Sequence, residues 1–320
     1  MTVHVITRDE RRLLQLFLSN SRAGITTLAQ QLGRGRNWVA RTIRRLVQQQ
    51  VVRAYTTVIN PLGGYIQRSM ILLVKTNPRE THVSSALLSI PGLESLDGVT
   101  GEHSLLGLFR IGSAESFSQF LDLIDGTISR SSSESYSLVQ VLTTYKTQGF
   151  VVVTAPSTEA PLSPVEVELL RVIRRHVPTM QHPLPLTQRE IGLRMRRPLS
   201  QPAVSKTVRR LEELGVILGY SAEVSFDYLG RPIKFFLQIR PSPGTIAEAA
   251  RRIASMDEVW DLHRTSESFS LFATVRCASI AEYNRFLRRL YEDENILDTR
   301  SHVSLEEWTL PTPSQGQSQV

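Results

Sequence analysis

The sequence predicts an α+β chain in which two winged helix-turn-helix domains alternate with two ferredoxin-like βαββαβ domains. Three observations carry that expectation: an internal repeat, a hydrophobic periodicity that switches from helical to alternating within each copy, and two basic blocks that coincide with the helical parts. The chain has 320 residues, 41% hydrophobic and 21% charged, which is ordinary globular usage and allows two or three domains.

The repeat is legible by eye. Arg41-Thr-Ile-Arg-Arg-Leu46 lies over Lys206-Thr-Val-Arg-Arg-Leu211, and the same offset places Val39 on Val204 and Tyr55 on Tyr220. One residue further in offset, Arg110 meets Arg276, Phe117 meets Tyr283 and Phe120 meets Phe286. The expected domains are residues 1–62 and 63–150, a linker over 151–162 rich in proline and small residues, then 163–228 and 229–310. The tail from Pro311 is expected to be disordered.

In the first copy Leu13, Leu14, Phe17 and Leu18 recur at helical spacing, a short helix follows over 27–32, and a third runs over 36–49. A Gly33-Arg-Gly35 turn supplies the tight change of direction between the last two. Val39, Ile43 and Leu46 share one face of the third helix, leaving Asn37, Arg41, Arg44, Arg45 and Gln48 opposite, with Arg36 at its start. Asn pairs with adenine and Arg with guanine or phosphate, so this face suits a DNA major groove. The alternative is a solvated surface, against which stands the absence of any acid for i,i+4 pairing.

The second copy reads as helices over 164–176 and 188–195 and a third opening at Ser200, an N-cap followed by Pro202. Val204, Val208 and Leu211 point inward; Lys206, Arg209 and Arg210 point outward, with Gln201 and Ser205 near the tip. Glu212 and Glu213 dilute this face, so the second module is expected to bind DNA more weakly, to touch mainly phosphates, or to serve structurally.

Each third helix precedes a β-rich passage, Val51 to Ile59 and Val216 to Val224, expected to be a two-stranded wing. Strand 69–75, helix 80–89, strands 93–100 and 104–111, helix 114–125 and strand 136–145 follow. The second series is 233–240, 245–255, 258–264, 269–276, 279–290 and 297–306. Both give β-α-β-β-α-β, a sheet with one helix-covered face and one open face that needs a partner.

Charge follows the same division. Residues 8–60 carry ten Arg against Asp9 and Glu10, residues 163–226 are also basic, and the rest of the chain is slightly acidic although the whole stands at +7. Two basic modules on an acidic remainder are what polyanion binding requires.

In order, spacing and local sequence the chain resembles the Lrp/AsnC, or feast/famine, transcriptional regulators. The matching residues are the Arg-Arg-Leu ends of both third helices, Tyr55-Thr56 with Asn60-Pro61, and Gly215-Val-Ile-Leu-Gly-Tyr220. The resemblance covers nearly the whole chain as a tandem duplication. It implies binding of double-stranded promoter DNA in the cytoplasm, self-association through the βαββαβ (RAM) domains, and an effector, often an amino acid, at the turn between the second and third sheet strands. Those turns are Thr100-Gly-Glu-His-Ser-Leu105 and Thr265-Ser-Glu-Ser-Phe-Ser270, which makes Gly101, Glu102, Ser266 and Glu267 the effector candidates. Both depart from the family's Gly-Asp pattern, Glu102 and Glu267 standing in for the Asp, and a plain polar turn is the competing reading. Pairing of the two βαββαβ domains within one chain would mimic a family dimer with two unequal readers and an asymmetric operator.

A second resemblance, to siroheme decarboxylases, implies an enzyme on the same architecture. Those enzymes carry a His followed by Tyr-Asn-Leu-Trp-like residues, of which only His103 is present. His103 alone lacks the tyrosine for tetrapyrrole acid–base chemistry, and the cationic third helices go unexplained.

Other chemistry finds no motif. The seven histidines show no metal-ligand spacing, and no P-loop, Gly-x-Ser-x-Gly or dinucleotide fingerprint occurs. No catalytic residue, metal or cofactor is therefore expected. Cys277 is the single cysteine, which fits a reducing compartment. The longest apolar runs, Met70 to Val74 and Phe150 to Val153, are far short of a membrane span, and the start is not that of a secretory signal.

Overall fold

A computed structural model describes residues 6–61, 68–76, 82–111, 114–131, 135–152 and 162–308. The expected tail, most of the 151–162 linker and residues 132–134 lie outside them.

The first helical unit is α1 (Arg8–Asn20), α2 (Ile25–Leu32) and α3 (Arg36–Gln48). Thr7 and Glu10 cap α1 reciprocally, the Thr7 N–H donating to the Glu10 carboxylate at 2.8 Å. Gly33, at φ 64°, ends α2 in the left-handed conformation that the turn requires. Val39, Ile43 and Leu46 are fully buried, as their spacing predicts. The second unit is α6 (Pro164–Arg174), α7 (Gln188–Arg194) and α8 (Gln201–Glu213). It repeats the caps with Ser163–Glu166 and Thr187–Glu190, and Ser200 caps α8.

The wings differ from expectation. Each passage is one strand, β1 (Val52–Ile59) and β8 (Ile217–Val224), and the two pair antiparallel with each other across the copies, from Val52↔Val224 to Ile59↔Ile217. Among the described residues neither has a strand partner within its own copy. Val-Arg-Ala-Tyr-Thr-Thr-Val-Ile has no turn residue at which to reverse, and seven of its eight positions are buried, so it takes a neighbouring strand instead. The end of the expected 164–176 helix is also claimed by β1: β7 (Arg175–His176) pairs there, Tyr55 opposite His176.

The first β-α-β-β-α-β series is β2 (Arg68–Lys75), α4 (His82–Leu88), β3 (Leu93–Val99), β4 (Leu105–Ile111), α5 (Ala114–Ser129) and β5 (Ser135–Thr147). The second is β9 (Ile233–Pro241), α10 (Ile246–Ala254), β10 (Val259–Thr265), β11 (Leu271–Cys277), α11 (Ile280–Leu290) and β12 (Ile296–Trp308). Two short elements go beyond the expected series: β6 (Phe150–Val151), a hairpin partner of β5 that pushes the start of the linker later, and α9 (Phe226–Leu229).

The open faces find each other. The eight long strands follow the order β10-β11-β9-β12-β3-β4-β2-β5, and β5 pairs back onto β10, closing a ring with two seams between copies. Ile71, Leu73, Val99, Leu106 and Val139 of the first copy share a core with Phe236 and Phe272 of the second. At the β12–β3 seam Lys234 is buried against both Asp97 carboxylate oxygens at 2.8 and 2.9 Å, and the Ser304 hydroxyl donates to Asp97. At the β5–β10 seam buried His263 meets the Thr144 hydroxyl at 3.0 Å.

Candidate nucleic-acid interface

All five first-module candidates, Arg36, Asn37, Arg41, Arg44 and Arg45, are exposed on α3. The hydrophobic face of α3 is locked into the module core, which fixes the orientation of the polar one. Among the described residues no carboxylate pairs with Arg36, Arg41 or Arg44. Arg45 differs: its guanidinium pairs with Glu10, the buried capping residue of α1. Trp38 packs against the module core, with the Arg34 guanidinium 5.7 Å from its ring.

In the second module Gln201, Lys206 and Arg209 are exposed on α8 and Ser205 is half-buried. Arg210 repeats the arrangement of Arg45, pairing at 2.9 Å with Glu166, the capping residue of α6. Hydrogen bonds from Ser163 and the Arg210 charge outweigh desolvation and hold the Glu166 carboxyl below the usual range. Arg45 and Arg210, expected on the nucleic-acid face, are exposed there, and each also ties the third helix of its module to the first through a carboxylate already fixed by its cap. Sequence reasoning missed the two glutamates, although Thr-x-x-Glu and Ser-x-x-Glu before apolar runs are the signal that finds them. Glu212 and Glu213 are both exposed on α8, and Glu212 accepts a hydrogen bond from the Tyr220 hydroxyl at 2.5 Å.

The four effector candidates fall in two separate turns, one at each seam. Gly101, at φ 107°, lies against β12, where the Thr100 N–H donates to Val303 O at 3.0 Å; a Cβ there would sit 3.0 Å from His302 Nδ1. Glu102 is exposed, with Arg300 at 3.7 Å. In the other turn Ser266 is bonded to Gln140 of β5 in both directions, its N–H donating at 3.1 Å and its hydroxyl accepting at 3.3 Å, and Glu267 is exposed. Both turns therefore make seam contacts.

His103 gains a companion that its own copy could not supply. His302 of β12 lies with its ring centroid 6.1 Å away, and His103 Nδ1 and His302 Nε2 are both buried without a hydrogen-bond partner. Desolvation is the main cause lowering the His103 pKa, with the His302, Arg300 and Lys75 charges adding to it against Glu102. Among the described residues no group of three His, Cys, Asp or Glu is placed to hold a metal, and no helix is long and apolar enough to cross a membrane. Burial pushes the Cys277 thiol up to about 12.

The comparisons with known proteins bear on these arrangements. The family model for the Lrp/AsnC ligand binding domain matches residues 234–312. The leucine-responsive regulatory protein of Haemophilus influenzae is 32% identical over 113 residues, 34% of this chain and 68% of that protein. The HTH-type transcriptional regulator LrpA of Mycobacterium tuberculosis is 33% identical over 108 residues, 33% of this chain and 71% of the relative. The crystal structure of the siroheme decarboxylase NirDL superposes with a TM-score of 0.59 at 18% identity, covering 94% of this chain and 92% of that one, a likeness of fold. With two relatives above 30% identity matched over more than two thirds of their length, the chain belongs to the Lrp/AsnC family.

Proposed function

We propose that the chain is a DNA-binding transcriptional regulator whose two three-helix units are winged helix-turn-helix readers and whose two β-α-β-β-α-β units form the assembly and effector body. The observation that carries this reading is the pair of exposed third helices with cations that no acid neutralises among the described residues. Arg36, Arg41 and Arg44 on α3 and Lys206 and Arg209 on α8 are available to phosphates or base edges. The names of the relatives, a leucine-responsive regulatory protein and an HTH-type regulator, support it. Because β1 and β8 join the modules inside one chain, the two unequal readers engage one asymmetric operator rather than a palindrome. A binding titration across the promoter region of its own gene tests the reading: salt-sensitive binding to one segment, weakened by Arg41→Ala with Arg44→Ala, is expected. Binding that is equal on all segments and indifferent to the double change overturns it.

A siroheme decarboxylase-like activity is the second reading, favoured by the full-length likeness to NirDL and by the unpartnered nitrogens of His103 and His302. Anaerobic titration with siroheme decides it: a Soret shift lost in His103→Ala, with release of carbon dioxide, would replace the regulator.

A further inference from the structure

The two copies differ at one place where their sequences align. The caps Thr7–Glu10 and Ser163–Glu166 set α1 over α6, which puts Leu18 opposite Arg174. Matching registers, Leu93↔Phe109 and Val259↔Val275, set β3–β4 over β10–β11, which puts Glu94 opposite Trp260 and Arg110 opposite Arg276. At the first junction the three residues form a lock: Glu94 pairs with Arg110 at 2.8 Å and with Arg174, bolting α6 to the sheet. At the second the corresponding residues are Leu18, Trp260 and Arg276, and they form no such lock.

A cavity of about 380 Å³ occupies that second junction, within the range of small-molecule sites. One wall is α1, through Gln15 and Leu18; another is the β5–β6 hairpin, through Lys146 and Phe150; the third is the second sheet with α9. Trp260 meets Phe226 edge to face at 5.0 Å. Arg276 is spoken for, bound bidentately to Glu307 at 2.6 Å. Two other cations are not: Lys146, only 6% exposed, donates to Met256 O, and Arg231 donates to Asp257 O, and among the described residues neither has a carboxylate partner. Each keeps donors to spare. Asp257 and Glu258 also line the cavity, Glu258 paired with Arg289, and their charges and that of Asp261 act on Lys146 without contacting it.

We propose that this cavity binds a small planar aromatic carboxylate, its ring against Trp260 and Phe226 and its carboxylate on Lys146 and Arg231. Burial lowers the pKa of the Lys146 ammonium, against the opposing charges of Asp257, Asp261 and Glu258. The α1 wall also connects the ligand to α3 through Glu10 and Arg45, a consequence that rests on the DNA-binding reading above.

Calorimetric titration of the full chain without DNA tests the site, with indole-3-acetate as probe, cyclohexylacetate as the non-planar anion and tryptamine as the cation of similar shape. Indole-3-acetate is expected to bind at least tenfold more tightly than either comparator. Lys146→Met and Trp260→Leu should each weaken it tenfold or more. Leu18→Arg with Trp260→Glu, which rebuilds the first junction's pair, should abolish it with the melting transition retained. Should those variants unfold, Gln15→Trp on exposed α1 obstructs the mouth and is expected to have the same effect. Absence of binding at millimolar probe, equal affinity for all three, or affinity unmoved by the folded variants would overturn the proposal. A change in operator affinity at saturating probe reads the coupling to α3 separately, so failure of the regulator reading leaves the calorimetric result intact.

Discussion

The division between free and paired arginines makes a quantitative prediction about salt. Each cation that neutralises a DNA phosphate contributes about −0.9 to the slope of log K against log salt. Arg36, Arg41, Arg44, Lys206 and Arg209 have no acid partner among the described residues, whereas Arg45 and Arg210 are held by Glu10 and Glu166. If all five are engaged, the slope is about −4.5, and a rise from 50 to 200 mM salt weakens binding by about 500-fold. Removing Arg41 and Arg44 leaves a slope of about −2.7 and a loss of only about 40-fold over the same range. Arg45→Ala should leave the slope unchanged while costing about 1–3 kcal/mol of stability, because it strands a buried carboxylate. Fluorescence anisotropy on an operator fragment at five salt concentrations reads the slopes, and urea denaturation reads the stability. An Arg45→Ala slope that falls as far as that of Arg44→Ala would refute the assignment of Arg45 to Glu10.

Three further outcomes follow from the seams and the second module. His263, its pKa depressed to about 4 by burial in the β5–β10 seam, is neutral in the fold, so its contribution is complete above the unfolded value near 6.5 and is lost as pH falls toward 4. The loss is on the order of 3 kcal/mol, and urea midpoints at pH 7.5 and 4.5 should converge in His263→Asn relative to the parent. Lys234→Met strands Asp97 in the other seam and should cost about 3–5 kcal/mol, partly recovered by adding Asp97→Asn; unchanged thermal melting would show the pair to be dispensable. In α7 a Cβ on Gly192 would lie 2.2 Å from Leu199 O, so Gly192→Ala should disturb the second module and weaken DNA binding with the α3 contribution intact, visible as local loss of amide protection over α7 and α8.

The helices and sheet strands are legible in the sequence because each carries its own signal. Val39, Ile43 and Leu46 declare the inner face of α3, and Ser200 with Pro202 declares the start of α8, by local chemistry that a single segment contains. The wings are not, because β1 is completed by β8 from the other copy, and cross-copy pairing leaves no mark within either eight-residue run. His302 beside His103, and Gln140 behind Ser266, are hidden for the same reason. The pairing of Arg45 is recoverable in principle, since the capping glutamate lies one helical face away, but burial of Glu10 is a property of the packed module. The cavity beside Trp260 requires both levels at once: the alignment of the two copies, and the knowledge that Glu94 bridges two arginines where Trp260 bridges none.

Closure of the eight-strand ring within one polypeptide makes assembly unimolecular. Its integrity does not depend on protein concentration, since the two halves are never more than a linker apart. More consequentially, the two seams are distinct places in sequence. In a ring made of two identical halves, any substitution at one seam appears at the other; here Lys234–Asp97 and His263–Thr144 can change separately. One seam can therefore be charged and the other acid-sensitive, and one junction bolted while its counterpart stays hollow.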